Sequence, residues 1–162
     1  MAQIKFNKAA DYAVELGKLA EDMPGIVHVA LYEAAGVVAD QIREAIAALP
    51  YDRHRFLRGD DTFGGISRLQ KGDLLAGLGV SPHRLSGYGD WTVIIGFNGY
   101  GTKGTKTYPD GVPNMMLARS IESGSSVRRK IPFVRQAVAA SRGKALAVME
   151  TAIMSEIEKR KL

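Results

Sequence analysis

Gly99-Tyr100-Gly101-Thr102-Lys103-Gly104 has the spacing of a glycine turn that cradles phosphate, and it follows the strand-like run Trp91 to Phe97. Such a turn binds a dinucleotide only when it opens a helix, whose free amides and dipole meet the pyrophosphate. Thr105-Lys106-Thr107-Tyr108-Pro109 comes next, a poor helix start, so the segment reads as a flexible hairpin or crossover loop. The Walker spacing is absent. His28, His54 and His83 are scattered, with no second ligand at metal spacing on a common face, so no metal ion or other cofactor is expected. His28 lies among apolar neighbours and reads as a packed or partly exposed helix residue. Asp52, Asp60 and Asp61 could attract a cation, but Arg53, Arg55 and Arg58 oppose one. Arg58-Gly59-Asp60 spells an adhesion tripeptide, yet nothing else in the chain reads as extracellular. No serine stands on a nucleophile elbow. With no cysteine, thiolate nucleophiles, disulfides and cysteine–zinc sites are excluded. No catalytic residue is assigned, and the chain is not expected to be an enzyme.

What the sequence offers instead is charge on loops. Lys and Arg outnumber the acids to give +5. Three basic clusters, Arg53/Arg55/Arg58, Lys103/Lys106 and Arg128/Arg129/Lys130, fall in expected loops, where they stay solvated and can face a partner. Nonspecific contact with a nucleic-acid backbone requires only such charge. Tyr51, Phe56, Phe63, Tyr100 and Tyr108 lie among these cations. Their rings could stack bases or simply anchor their loops on the body or on another subunit.

The elements that must carry these loops are mostly helical. Asn7 can cap a first helix of about three turns. Pro24 suits the first turn of a second helix, whose stripe Ile26, Val29, Ala30, Val37, Val38, Ile42, Ile46 and Leu49 ends before Pro50. Small residues at Ala34, Ala35, Gly36 and Ala39 let another helix approach closely. Residues 51–67 have no sustained period and read as a long exposed loop. Ile66 to Leu78 fits a short helix with Leu69, Leu74, Leu75 and Leu78 on its apolar side; Gly72 argues for a break and Gly79 for its end. Trp91 to Phe97 is β-branched and aromatic, with Leu85 and Tyr88 on a partner strand. A second long loop covers about 98–111. Pro113 starts a short helix through Ile121, with Met116, Leu117, Ser120 and Ile121 at helical spacing. Pro132 opens the last helix, with an expected buried stripe Phe133, Val134, Ala137, Val138, Leu146, Val148, Met149, Ala152, Ile153 and Ile157 and a bend near Gly143.

These elements predict an α+β fold with long N-terminal and C-terminal helices packed on a small antiparallel β-sheet. The 162 residues fit one domain over 1–162. With 46% hydrophobic and 24% charged residues the composition is that of an ordinary soluble protein. The charged N-terminus does not read as a signal peptide, no apolar run is long enough to cross a bilayer, and no membrane contact is expected.

One stretch is more specific. Ala118 to Ser126, ARSIESGSS, leads through Arg128-Arg129-Lys130 into Ile131 to Ala137, IPFVRQA. With the order of elements around it, this resembles the tail-completion, or head–tail joining (neck), family of long-tailed bacteriophages and prophages. In that family an acidic residue, a Gly-Ser/Thr turn and a Pro-Phe pair lead into the last helix. The matching positions are Glu122, Gly124, Ser125, Pro132 and Phe133. Ser123 stands where an aromatic is common, Arg135-Gln136-Ala137 replaces Arg-Pro-Ala, and the insert from Tyr51 to Phe63 is long and charged. The resemblance implies a structural virion protein of the neck or tail, assembled in the host bacterial cytoplasm into a ring oligomer. It implies other neck and tail proteins as partners: a head-completion or connector protein, a tail terminator or the tail tube. The basic loops would then meet neighbouring subunits or line the channel, in nonspecific contact with genomic DNA. The alternative reading is a small basic nucleic-acid-binding protein.

Overall fold

The computed structural model describes residues 8–52 and 62–160, with side chains from residue 14 onward. Arg53, Arg55, Arg58, His54 and Phe56 lie outside the described residues. The chain is α+β, with helices packed against a small antiparallel β region. Eight elements follow in order: α1 (Lys8–Ala48), α2 (Arg68–Gly77), β1 (Leu78–Val80), β2 (Arg84–Leu85), β3 (Trp91–Thr92), β4 (Ile95–Phe97), α3 (Asn114–Ser123) and α4 (Phe133–Arg160).

Helices α1 and α4 form a long antiparallel pair. Leu49 and Pro50 line one groove with Phe133 and Ala137, while at the other end Arg160 pairs with Asp22 at 3.5 Å. The first turns of α1 therefore extend past the end of α4. At 41 residues, α1 is about 60 Å long. The expected two helices divided at Pro24 are one: α1 runs through Pro24 without interruption. A proline removes one backbone donor. Pro24 and Ala20 are both exposed, so water can satisfy the carbonyl left without a partner. The seam between the two helices is built from small side chains, with Ala34, Ala35 and Ala39 buried on α1 and Ser141, Ala145 and Ala152 on α4. Ser141 satisfies its hydroxyl within its own helix, donating to the Ala137 carbonyl at 2.8 Å. The expected α4 stripe is corrected accordingly: Val138 and Leu146 face outward, and the helix continues through Gly143.

The far end of this pair carries a charge cluster. Glu156, largely buried, accepts from Lys159 Nζ at 2.6 Å and from the Arg160 guanidinium. These two hydrogen bonds hold its carboxyl below the usual range. A carboxylate with a lowered folded-state pKa contributes stability above its unfolded pKa and loses it as pH falls through the folded value. Glu156→Gln is accordingly expected to unfold at lower urea than the parent chain near neutral pH. The gap should begin to narrow near about pH 4, where the unfolded chain's glutamate takes up its proton, and close as the pH falls through the lowered folded value.

The principal core lies at the opposite end. Ile42, Ile46 and Leu49 of α1 meet Ile66, Leu74 of α2, Leu78 of β1, Leu117, Ala118 and Ile121 of α3, and Phe133 and Ala137 of α4. Ser67 and Gln70 form a reciprocal capping box that starts α2. The helix passes Gly72 and ends at Gly77, so Gly79 belongs to β1 and does not terminate it. Leu69 and Leu75, expected on its apolar side, are exposed.

The expected single strand Trp91 to Phe97 is two. β1 pairs with β4 in the register Leu78↔Phe97 and Val80↔Ile95, and β2 pairs with β3 in the register Leu85↔Trp91. Together they make one antiparallel hairpin with a break in its ladder. Three residues, Ser81-Pro82-His83, oppose two, Val93-Ile94, and Pro82 has no amide to donate. Ser81 bridges the gap, donating its amide to the Ile94 carbonyl at 2.8 Å and accepting the Ile94 amide on Oγ at 2.9 Å. Tyr88 is fully exposed in the turn at the tip and belongs to no strand.

Candidate functional site

The segment between α3 and α4 is a joint closed on both sides. α3 is a ten-residue amphipathic helix with Leu117, Ala118 and Ile121 buried, while Met116 faces outward. It stops at Gly124, whose φ of 77° and ψ of 170° suit glycine alone. A β-carbon there would come within 3.1 Å of the Lys130 backbone nitrogen. Ser125 and Arg128 then exchange backbone hydrogen bonds of 2.9 and 3.2 Å, which make the turn, and Ile131 donates its amide to the Ile121 carbonyl at 2.8 Å. The chain thus returns alongside the helix it has just left.

Glu122 uses this reversal. Its carboxylate accepts the amides of Val134 at 2.8 Å and Arg135 at 3.3 Å, and the Arg135 Nε at 3.0 Å. These are first-turn amides of α4, which otherwise have no partner within the helix. A carboxylate there also meets the positive end of the helix dipole. Pro132 leads into the helix with no amide of its own to satisfy. Phe133 is buried, its ring 6.2 Å from that of Phe97 on β4. Arg135 is mostly exposed, so its ion pair contributes little beside the amide contacts. Glu122→Ala is expected to lower stability by about 0.5–2 kcal/mol, the usual cost of losing an N-terminal cap. Glu122→Gln, which retains an acceptor oxygen, should cost less. Paired urea denaturation curves measure both.

The three basic residues of the joint do not act together. Arg129 and Lys130 are exposed, but Arg128 is buried, which corrects the expectation that all three stay solvated. Its Nη1 donates to the Gly65 carbonyl at 2.8 Å. Burial lowers its pKa and the Asp52 carboxylate partly restores it. On either side of Arg128 the backbone pairs with Phe63: the Phe63 amide donates to the Val127 carbonyl at 3.0 Å, and the Arg129 amide to the Phe63 carbonyl at 2.9 Å. Arg128 is therefore a post that holds the end of the 51–67 loop onto the joint.

The other end of that loop is held by Lys71 of α2, also buried. Its ammonium donates to the carbonyls of Ala47 and Leu49, each at 2.8 Å, and lies 4.2 Å from the Tyr51 ring centre. It caps the negative end of α1. Tyr51 so anchors its loop on the body, one of the two roles open to it from the sequence. Between these anchors, Asp52 and Ile66 bond across the loop's base, with the Asp52 amide on the Ile66 carbonyl at 3.0 Å.

Lys103 and Lys106 are exposed on the 98–111 loop, which rests on other supports. Thr102 Oγ1 donates to the Asp73 carboxylate of α2. The Gly101 amide donates to the Val112 carbonyl at 2.8 Å. Gly111, at φ 102°, lies against the Gly101 carbonyl and leaves no room for a side chain. At the loop's root, the buried Asn114 amide group spans the carbonyls of Asn98 at 2.9 Å and Asp73 at 3.2 Å. No helix begins within the Gly99–Gly104 turn, so the amide array of a dinucleotide site is not formed; the next helix is α3, after Pro113.

His28 is a partly exposed residue of α1, as expected, but two of the histidines read as scattered meet. His28 of α1 and His83 of the hairpin, 55 residues apart in sequence, meet with their Nδ1 atoms 2.7 Å apart. Tyr32, one turn from His28, donates its hydroxyl to the Ser81 carbonyl at 3.0 Å. Among the described residues no group of three or more metal-ligating side chains converges. Lys71, Asn114, Asp73 and this histidine pair carried no local signal that would single them out in the sequence. What the joint can do is mechanical: it fixes the start of α4 to the principal core and presents the exposed cations Arg129 and Lys130 from the turn.

Scans against family models, curated proteins and solved structures found no match to this chain.

Proposed function

We propose that this chain is a structural subunit of the neck of a long-tailed phage or prophage, joining or completing the head–tail interface as one member of a ring. The observation that carries the reading is the joint. Glu122, Gly124, Ser125, Pro132 and Phe133, the positions that resemble the tail-completion family, each have a distinct mechanical part in one closed unit. A pattern of residues spread over a turn and two helix ends fits an architectural role better than a catalytic one.

A ring subunit needs patches that close by rotation, and neighbours with which to close. Exposed side chains at Val138, Leu146 and Met154 on α4 and at Val14 and Leu16 on the overhanging part of α1 offer apolar contact surface. Lys103, Lys106, Arg129 and Lys130 are exposed cations on supported loops, suited to a neighbouring subunit or to DNA passing through the channel. The partners on this reading are further copies of the chain and other neck and tail proteins, and the location is the virion.

Charge also favours a second reading, a small basic nucleic-acid-binding protein. Equilibrium binding of the purified chain to duplex DNA at several salt concentrations separates the two. The neck reading expects weak binding by the monomer, strengthened when the chain is ring-assembled. Tight binding by the monomer, with a steep loss on adding salt, would favour the second.

A further inference from the structure

We propose that His28 and His83 form a proton-sensitive clasp that holds the outer half of the β-hairpin against α1. Three observations carry it. The first is the contact: two imidazole Nδ1 atoms at 2.7 Å, with ring centres 4.4 Å apart. At that separation one nitrogen must donate a hydrogen and the other must present its lone pair. The docked pair therefore admits at most one positive charge. When both rings carry a proton on each nitrogen, two donors and two like charges face one another, and the contact is lost.

The second observation is the hinge. The inner half of the hairpin, β1 and β4, is tied to the core through Leu78 and through Phe97 against Phe133. The outer half, β2 and β3, is joined to it across the interrupted ladder at Ser81-Pro82-His83 and Val93-Ile94. A break in pairing is where a hairpin bends most readily. On this proposal the outer half pivots about the Ser81–Ile94 contact while the inner half stays in place.

The third is the company the pair keeps. From α1 it is faced by Tyr32, whose ring centre is 4.6 Å from that of His28; from β3 it is faced by Trp91, 5.3 Å from His83. Ser81 faces it from the bulge through its bond to Tyr32. None of these is a carboxylate or a cation. Glu33 and Arg84, the charged neighbours along the chain, are exposed, and neither histidine makes an ion pair among the described residues. Among the described residues, nothing at the contact offsets a second positive charge.

The sign follows from proton counting. The undocked pair can bind one proton more than the docked pair, so acid favours undocking. Release would swing out a tip whose Leu85 and Tyr88 are already exposed, making it a larger apolar surface for a neighbouring molecule.

Trp91, the chain's one tryptophan, reports the event. Its accessibility to acrylamide is measured in the full chain, with a chelator present, from about pH 8 to about pH 5, the range in which histidines generally titrate. Accessibility is expected to rise several-fold toward acid while the helical circular dichroism stays constant. His28→Gln can still hydrogen-bond His83 but cannot take the second charge, so its profile should be flat. His83→Asn serves the same purpose should His28→Gln fold poorly, and His54→Gln should respond like the parent chain. A flat profile in the parent chain, or an unchanged rise in His28→Gln, would overturn the proposal.

Discussion

Phe133→Ala is expected to cost about 3–5 kcal/mol of stability, the range for removing a fully buried aromatic ring. Its ring contacts Phe97 and belongs to the cluster in which α1, α2, α3 and β1 all meet. The loss is therefore felt by every helix and by β1, all of which meet in that cluster. The urea midpoint should fall sharply with the slope unchanged. Val138→Ala, little more than one turn farther along α4, removes a side chain that is 43% exposed and should shift the midpoint little. Equal costs at the two positions would mean that α4 presents a different face to the body.

Gly124→Ala should be the next most damaging, through the backbone. The conformation at φ 77° and ψ 170° costs a residue with a β-carbon about 1–3 kcal/mol. The new carbon would also press on the Lys130 backbone at 3.1 Å. The strain falls between Glu122 and the amides it caps, so the N-terminal turn of α4 should fray as well, seen as faster amide exchange at Val134 and Arg135. Gly143→Ala is the control with the opposite sign. Gly143 lies within α4 and a β-carbon there meets nothing within 4 Å. Replacing a helical glycine by alanine should stabilise by about 0.5–1 kcal/mol.

These contrasts also mark where the sequence was legible. The fold class, the short α3 and the start of α4 after Pro132 follow from local signals, periodicity and proline placement, and the structure has them. The faces of α4 do not. Hydropathy rightly marks Phe133, Ala137 and Ala152 as buried but adds bulky Val138 and Leu146, which are exposed, and omits Ser141 and Ala145, which line the seam with α1. Close helix approach selects small side chains, which a hydrophobicity pattern undervalues. Pro24 misleads for a related reason: a proline usually marks a helix start, yet the body of α1 from Ile26 onward is buried in the pair and the helix persists through it.

At the candidate site, the residues marked by the family resemblance form one unit, but the cations near them divide. Arg128, Arg129 and Lys130 look equivalent as a run of charge. Only the returning 51–67 loop, with the Gly65 carbonyl waiting for a guanidinium, distinguishes Arg128. His28 and His83 are invisible as a pair for the same reason: their contact is made by the hairpin folding back on α1, across 55 residues of chain. Long-range contacts of this kind leave no trace in spacing.

The proposal that the chain completes the phage neck is tested most directly by electron microscopy of particles produced when its gene is deleted. The account predicts DNA-filled heads separated from tails, or joined to malformed ones, with normal joining restored by the intact chain. Restoration should be weaker with the destabilised Phe133→Ala chain. Normal, infectious, head–tail joined particles in the absence of the chain would contradict it.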